Sequence, residues 1–500
     1  MLTEAGFVRL VKQIAKADEG GKPETIKKLL MDTGRKNFPE SKKWFYDDVL
    51  ANIYAQLGEM SRSVQHYKQE MEHAELIPHD VRLMSYSNLL MYLHYLELGN
   101  EEMNYWHKGY NSLFADIQPY HSYVLTQPAV ESAKVKIKLG YLSTDFFGHI
   151  VTNFILQLFL HHNRQRFEIF VYQAAGEKDE VTNWLKNMVD VWCDLSACSA
   201  QEAAARIHAD SIDILVDLSG HTRGGRTLQI AAYHPAPIQI CGIGWFDTTG
   251  LAAMDYFLTD KYCHTQENAA DFTEKMLCLP ESHFCYTPGE AVLSCDNIRQ
   301  EHDSLVFGCF NNFAKITDSM LLSWREILEK VSEAKLYLKN VSRDKFHVDK
   351  MYQRLQMLDF PLARCIIEAG EENYLEKYLE VDIALDTYPY PGGGTTCEAI
   401  FMGCPVITQY GRRHGSRFGL SILSNIGLGE LAAETRQGYV ERAVSLANDR
   451  ELLKLLHNNL RIMMQKSPLM DGKGYTKAIE AKYRQIWQDF SDKCRNTKHI

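Results

Sequence analysis

Six short segments carry residues able to do chemistry, and each follows a run of apolar residues. In DTYPYPGGGTTCE (386–398), Gly393, Gly394, Thr395 and Thr396 offer bare backbone N–H groups and hydroxyls where a helix opens, a pattern suited to cradling a diphosphate. Glu398, one turn into that helix, is placed to hydrogen-bond a ribose diol. No Gly-Lys-Ser/Thr follows, so the segment is not a P-loop, nor is it G-x-G-x-x-G. In NNFAKITD (311–318), Lys315 stands just before a helix opening at Asp318, near the positive end of its dipole. STDFFGH (143–149) ends in His149, whose neutral imidazole can accept a proton near pH 7. DLSGHTRGG (217–225) sets His221 and Arg223 among glycines, which suits an anionic ligand. HPAPIQ (234–239) and WFDTTG (245–250) read as turns beside a strand. By spacing alone, each segment also fits an ordinary polar strand-to-helix turn, and both readings stand.

These segments need strands behind them, and the apolar pattern supplies strands. Residues 135–139, 167–172 and 212–218 read as strands, separated by helical stretches over 153–162, 181–191 and 199–209. A second alternation runs through strands at 304–310, 335–339, 381–385 and 405–408, with a helix over 318–331. Strands alternating with helices predict two parallel α/β halves, over 134–290 and 300–470, facing each other across a cleft. Tyr475, Ile479, Tyr483, Ile486, Trp487 and Phe490 form one stripe, predicting a helix over 471–492 that packs back on the core. Residues 1–125 are helical throughout. Ala51, Tyr54, Gly58, Ser63 and Tyr67 fall near the small and aromatic positions of a tetratricopeptide helix pair, and a generic helical domain fits equally. Residues 126–134 read as a linker.

Composition narrows the functions. At roughly 150 residues per domain, 500 residues imply about three domains. With 45% hydrophobic and 24% charged residues, extensive disorder is excluded. A formal charge of -10 without a basic block disfavours nucleic acid as a partner. No apolar run nears the roughly 18 residues of a membrane span. The N-terminus is amphipathic with early acids, unlike a secretory signal. The 12 cysteines form no C-x-x-C pair and several sit in apolar runs, so they read as thiols of a reducing, cytoplasmic protein. The 19 histidines show no H-E-x-x-H or other ligand spacing, so no metal site is expected.

HPAPIQICGIGWFDTTGLAAMDYFLTD (234–260) resembles the signature of the O-GlcNAc transferase and SPINDLY family. So do GYLSTDFFGH (140–149), DLSGHTRGGR (217–226), LPESHFCYTP (279–288), FGCFNNFAKIT (307–317) and, longest, VDIALDTYPYPGGGTTCEAIFMGCPVITQYGRRHGSR (381–417). The resemblance runs over roughly 85–490. It implies a GT-B fold, two Rossmann-like lobes after an all-α TPR-like domain, and inverting, metal-independent transfer of a sugar from a nucleotide diphosphate to Ser or Thr of a protein. It implies no cofactor, a protein acceptor docked through the N-terminal helices, and no nucleic-acid or membrane partner; homo-oligomerisation stays open. By motif position, His149 and Lys315 are the catalytic candidates, with His149 near acceptor and donor sugar. His221 and Thr249 fall at substrate-binding positions. Asn312 and Lys315 match the pair that holds the diphosphate, Gly393, Gly394, Thr395 and Thr396 the Thr-Thr loop, and Glu398 the ribose-contacting acid. The expected donor is UDP-GlcNAc. The loop at 386–398 is closer to the SPINDLY form, which keeps GDP-fucose as the alternative. Asp247 departs from the small residue usual in the family, near the expected sugar pocket. Two other classes are a non-catalytic helical-repeat adaptor, disfavoured by intact His149, Lys315, Thr395 and Thr396, and a nucleotide-sugar epimerase, which needs no helical docking domain.

Overall fold

The computed structural model describes residues 2–121, 123, 136–295 and 304–497. The expected linker at 126–134, and residues 296–303 of the stretch between the halves, lie outside the described residues.

The first half is a parallel sheet of seven strands: β1 Ile137–Ser143, β2 Phe167–Gln173, β3 Val191–Asp194, β4 Ile214–Asp217, β5 Ile238–Cys241, β6 Tyr256–Asp260 and β7 Lys275–Leu279. Their spatial order is β3-β2-β1-β4-β5-β6-β7. The second half has six parallel strands: β8 Val306–Cys309, β9 Lys335–Lys339, β10 Cys365–Glu368, β11 Ile383–Leu385, β12 Val406–Gln409 and β13 Ala432–Ala433, in the order β10-β9-β8-β11-β12-β13. Helices cover both faces, which is why β4, β8 and β11 are buried throughout and read as unbroken apolar runs. The two lobes share one plan. Strand order reverses between β1 and β4, and again between β8 and β11. Crevices open at those reversals, at the carboxyl ends of the strands. The expected two-lobed Rossmann-like fold is the fold observed.

The local boundaries differ in places. The helix expected over 181–191 is only Glu180–Lys186, and Val191 opens β3, a partly exposed strand whose weak apolar signal merged with the helix before it. β5, β6, β7, β10 and β13 were not among the expected strands. The last helix, Gly472–Thr497, returns to the first lobe. Thr476 Oγ1 donates to the Gln157 carbonyl at 3.2 Å, Tyr475 Oη donates to the His283 carbonyl at 2.9 Å, and Glu480 accepts from the Asn163 amide at 2.8 Å.

The N-terminal helices do not behave as the single unit expected over 1–125. Glu4–Glu19, Pro23–Thr33 and Lys43–Gln56 bury Leu10, Ile14, Ile26, Leu30, Leu50 and Tyr54 in a small core of their own. The hairpin of His79–Leu93 and Asn100–Gly109 instead belongs to the main core, with Leu83, Leu89, Leu90 and Met103 packed in continuity with the first lobe. Glycines permit this approach. A Cβ on Gly225 would strike Ser87, and one on Gly250 would strike the His107 carbonyl. Replacing Gly250 (φ +67°) with Ala should therefore lower the melting temperature well beyond Gly58→Ala, which shares the left-handed backbone (φ +73°) but faces open space and pays only the roughly 1–2 kcal/mol of φ strain. Equal melting temperatures by calorimetry would show that the hairpin is not part of the core.

Candidate active site

The segments that follow β1, β4, β8 and β11 gather at the two reversal points, where the lobes meet; HPAPIQ (234–239) instead leads into β5 at the opposite end of the sheet. In the second lobe the anchor is Asp386, the residue directly after β11, 2% exposed. Its Oδ1 accepts from the Gly392 amide (2.7 Å), the Thr387 amide (2.9 Å) and Asn311 Nδ2 (3.0 Å); its Oδ2 accepts from Thr408 Oγ1 (2.8 Å). Thr387 Oγ1 donates to the Tyr390 carbonyl at 2.7 Å. These bonds wind 387–392 into a fixed turn. Gly392 packs under the hydroxyls of Thr395 and Thr396, where a Cβ would collide with both.

The turn delivers the chain to the helix Gly394–Phe401, capped at its start only by Gly393, which has no side chain to satisfy the first N–H groups. That helix start carries positive partial charge with its donors uncovered. Lys315 adds a full charge. Its Nζ donates to the Pro391 carbonyl at 3.2 Å and sits 3.7 Å from the centre of the Tyr390 ring. Burial pulls its ammonium down to about 8, partly opposed by Asp386. The arrangement differs from a solvated lysine in a helix cap.

The sequence motif points to Asn312, but it is Asn311 that reaches this corner. Asn311 donates to Asp386 and to Thr387 Oγ1 (3.0 Å) and accepts from Thr395 Oγ1 at 2.6 Å, joining β8, β11 and the helix start. Asn312 turns the other way: its Oδ1 accepts from the Ala314 amide at 3.0 Å and caps the short turn Phe313–Lys315. Glu398 is 7% exposed, and its Oε2 has no hydrogen-bond partner among the described residues. Burial raises its carboxyl, against the Tyr374 hydroxyl.

In the first lobe, His149 caps the helix Ile150–His161, its Nδ1 accepting from the Val151 amide at 3.4 Å. Gly394 lies against Ile150: a Cβ there would sit 2.5 Å from the Ile150 side chain. The helix starts of the two lobes thus abut at Gly394 and Ile150, the residue after His149. Burial lowers the His149 imidazole below its usual range, with Asp145 opposing. An Nδ1 that accepts must carry a lone pair, so the neutral ring holds its proton on Nε2.

His221 and Thr249 require correction. His221 is 1% exposed, with Nδ1 at 3.1 Å from Ser87 Oγ and Nε2 at 2.8 Å from the Thr249 carbonyl. Thr249 is fully buried; its amide donates to Glu274 at 2.8 Å and its hydroxyl bonds the same carboxylate. His221 ties Ser87 of the helical hairpin to the first lobe, Thr249 is tied to Glu274 within that lobe, and the polar side-chain atoms of both are engaged by protein groups. Asp247 is likewise buried; its Oδ2 accepts from Arg413 Nε of the other lobe at 2.6 Å. Burial works to raise this carboxyl, but Arg413, His107 and His94 hold it well below the usual range.

If Asn311 neutralises the Asp386 corner by donating to it, Asn311→Asp should set two carboxylates about 3 Å apart and destabilise the lobe by like-charge repulsion. It should melt below Asn312→Ala, which loses a turn cap worth about 1 kcal/mol. The Asn311→Asp deficit should shrink as pH falls and the pair takes up a proton. A pH-independent deficit would contradict the assignment.

The family model of glycosyl transferase family 41 matches residues 114–291 and 287–479. A probable UDP-N-acetylglucosamine–peptide N-acetylglucosaminyltransferase SPINDLY from Hordeum vulgare is 34% identical over 421 residues, 81% of this chain and 44% of that protein. The Arabidopsis thaliana protein of the same description is 32% identical over 416 residues, 81% of this chain and 45% of that protein. The chain thus matches less than half the length of these relatives. A mutant O-GlcNAc transferase from Thermobaculum terrenum superposes with a TM-score of 0.82 at 25% identity, covering 99% of this chain and 100% of that one. A family model spanning most of the chain and relatives above 30% identity agree with the paired Rossmann-like lobes: the chain belongs to glycosyl transferase family 41.

Proposed function

We propose that the chain transfers a sugar from a nucleotide diphosphate to a Ser or Thr hydroxyl of a protein, with inversion and without a metal at the reacting phosphates. The observation that carries this reading is the cradle in the second lobe: Lys315 and an uncovered helix start, braced by Asn311 and Asp386. The names of the relatives support it, since SPINDLY and O-GlcNAc transferase proteins are described as acting on peptides with UDP-N-acetylglucosamine or as O-GlcNAc transferases. GlcNAc from UDP-GlcNAc is the leading donor; fucose from GDP-fucose is the alternative. A cavity of about 250 Å³ walled by Phe246, Tyr388, Tyr390 and Arg413 adjoins the cradle through Tyr390 and is on the scale of one sugar ring. A larger groove of about 1000 Å³ runs between the N-terminal helices and the second lobe, past Tyr95, Glu97, Asn312 and Thr317. It supports entry of the acceptor along the helical side.

The chemistry follows from these groups. The acceptor hydroxyl attacks the anomeric carbon opposite the diphosphate. As that bond breaks, negative charge gathers on the leaving phosphates, and Lys315 and the amides of Gly394–Thr396 stabilise it without reorganising. Glu398, with one free oxygen, suits the ribose diol. His149, neutral with its proton on Nε2, suits a hydrogen bond to the acceptor or sugar. That tautomer has no lone pair at Nε2 to take a proton, so the acceptor proton leaves by water or phosphate.

Four results test this. Lys315→Ala should cut turnover about 10²–10³-fold, about 3–4 kcal/mol of barrier, with the fold intact by circular dichroism. In the wild type, kcat/KM should fall as pH rises through about 8, where the lowered Lys315 loses its charge, and Lys315→Arg should remove that alkaline limb. His149→Asn should keep much of the rate, because an amide still donates. Any acid limb from His149 should lie below pH 6.5, since its folded value is lowered and the neutral ring persists down to it. Loss of all activity in His149→Asn would restore the base role. Finally, brief EDTA treatment should leave turnover unchanged; loss reversed by magnesium or manganese would contradict the metal-free step.

A further inference from the structure

Away from the cleft, one side-chain cluster has the makeup of a metal centre. Cys263, His283 and His414 each bring a ligand atom within 4.8 Å of the other two. They are 0, 2 and 0% exposed. Cys263 lies just past β6, His283 just past β7, and His414 opens a turn in the second lobe, His414–Arg417. The cluster therefore straddles the seam between the lobes, and its members are too far apart in sequence to show any ligand spacing.

The hydrogen bonds around it point the ligands. Asp260, fully buried at the end of β6, has Oδ2 at 2.5 Å from His283 Nδ1. The same oxygen accepts from Ser421 Oγ at 2.7 Å, and Oδ1 accepts from the Cys263 amide at 2.9 Å. A carboxylate on Nδ1 puts the proton there and leaves the lone pair on Nε2; this carboxylate–histidine pairing is how proteins orient metal-bound imidazoles. His414 repeats the logic. Its Nδ1 is 3.2 Å from the Phe246 carbonyl, which can only accept, so Nδ1 is the donor and the lone pair of the neutral ring is on Nε2, 2.9 Å from Thr259 Oγ1. Two imidazole lone pairs and one thiol thus share a dry space, with the Thr259 hydroxyl beside His414 Nε2 and the Asp260 carboxylate behind His283.

A second group, His94, His107 and Asp247, also meets the distance test. It differs in charge. Asp247 Oδ2, the oxygen a metal would need, already accepts from the Arg413 guanidinium at 2.6 Å, and a cation placed there would be repelled. At the Cys263 cluster the nearest charge is the anion Asp260.

We propose that Cys263, His283 and His414 hold one structural zinc ion, with Thr259 Oγ1 as the fourth ligand and Asp260 as the group that orients His283. One sulfur and two imidazoles in a closed four-coordinate site suit zinc's borderline softness, and oxygen-seeking magnesium or calcium does not match them. Binding displaces one proton, from the Cys263 thiol, and moves no electrons. The bound charge is balanced by the Cys263 thiolate and Asp260. The ion would join the ends of β6 and β7 to the second lobe and take no part in sugar transfer. The proposal is independent of the transferase reading.

The test is elemental analysis of the full chain, produced in zinc-supplemented medium and desalted through EDTA to strip surface metal. One zinc per chain is expected, falling to background in Cys263→Ser and in His414→Gln. Protein produced with cobalt should show a thiolate-to-cobalt charge-transfer band and tetrahedral d–d absorption, with the former absent from Cys263→Ser. Folded wild-type protein without stoichiometric zinc, or cobalt protein without the thiolate band, would overturn the proposal, and neither result requires a variant to fold.

Discussion

The site depends on one buried carboxylate. Asp386 is almost sealed from water, where an unsolvated charge would cost several kcal/mol. Burial does raise its carboxyl, and the hydrogen bonds around it oppose that rise. Four donors take the place of water, and they come from three parts of the machinery: Asn311 after β8, Thr387 and Gly392 in the turn, Thr408 on β12. Satisfying this one group therefore fixes the turn, its glycines and the start of the helix behind it. Lys315 lies close enough to lend its charge to the same corner, and Tyr439 closes the set by donating to the Asp386 carbonyl at 3.0 Å. A cradle built this way is already shaped before any ligand arrives, which is what electrostatic stabilisation of a leaving group requires.

The second condition is that the first lobe be held against this corner. Asp247 and Arg413 form a buried ion pair across the seam, and Arg413 Nη1 also donates to Asn104 of the helical hairpin at 3.0 Å. Gly415 packs directly on Phe246. Such a pair is weak evidence for stability, because desolvation offsets most of its attraction, but breaking one side strands the other charge. Its clearest effect here is geometric: it sets how the two lobes and the hairpin register.

Much of this was visible in the sequence. The chemical segments are short, polar and glycine-rich, and they follow buried strands whose continuous apolar runs are hard to mistake. That puts His149, Lys315 and Gly393–Thr396 in the loops that follow β1, β8 and β11. What failed depends on distant contacts. His221 and Thr249 look like cleft residues until the hairpin from 79–109 covers them. Asn311 and Asn312 are indistinguishable by type, and only the geometry at the end of β8 shows which one turns toward Asp386. Strands such as β3 and β10 are too short and too exposed to announce themselves. The linker expected at 126–134 lies outside the described residues.

The most direct check is a crystal structure of the full chain with a nucleoside diphosphate, UDP and GDP in parallel. The account predicts phosphate oxygens within hydrogen-bonding distance of Lys315 Nζ and of the Gly394–Thr396 amides, with Asn311 and Asp386 unmoved. Phosphates bound elsewhere, or bound with Lys315 turned away, would contradict it.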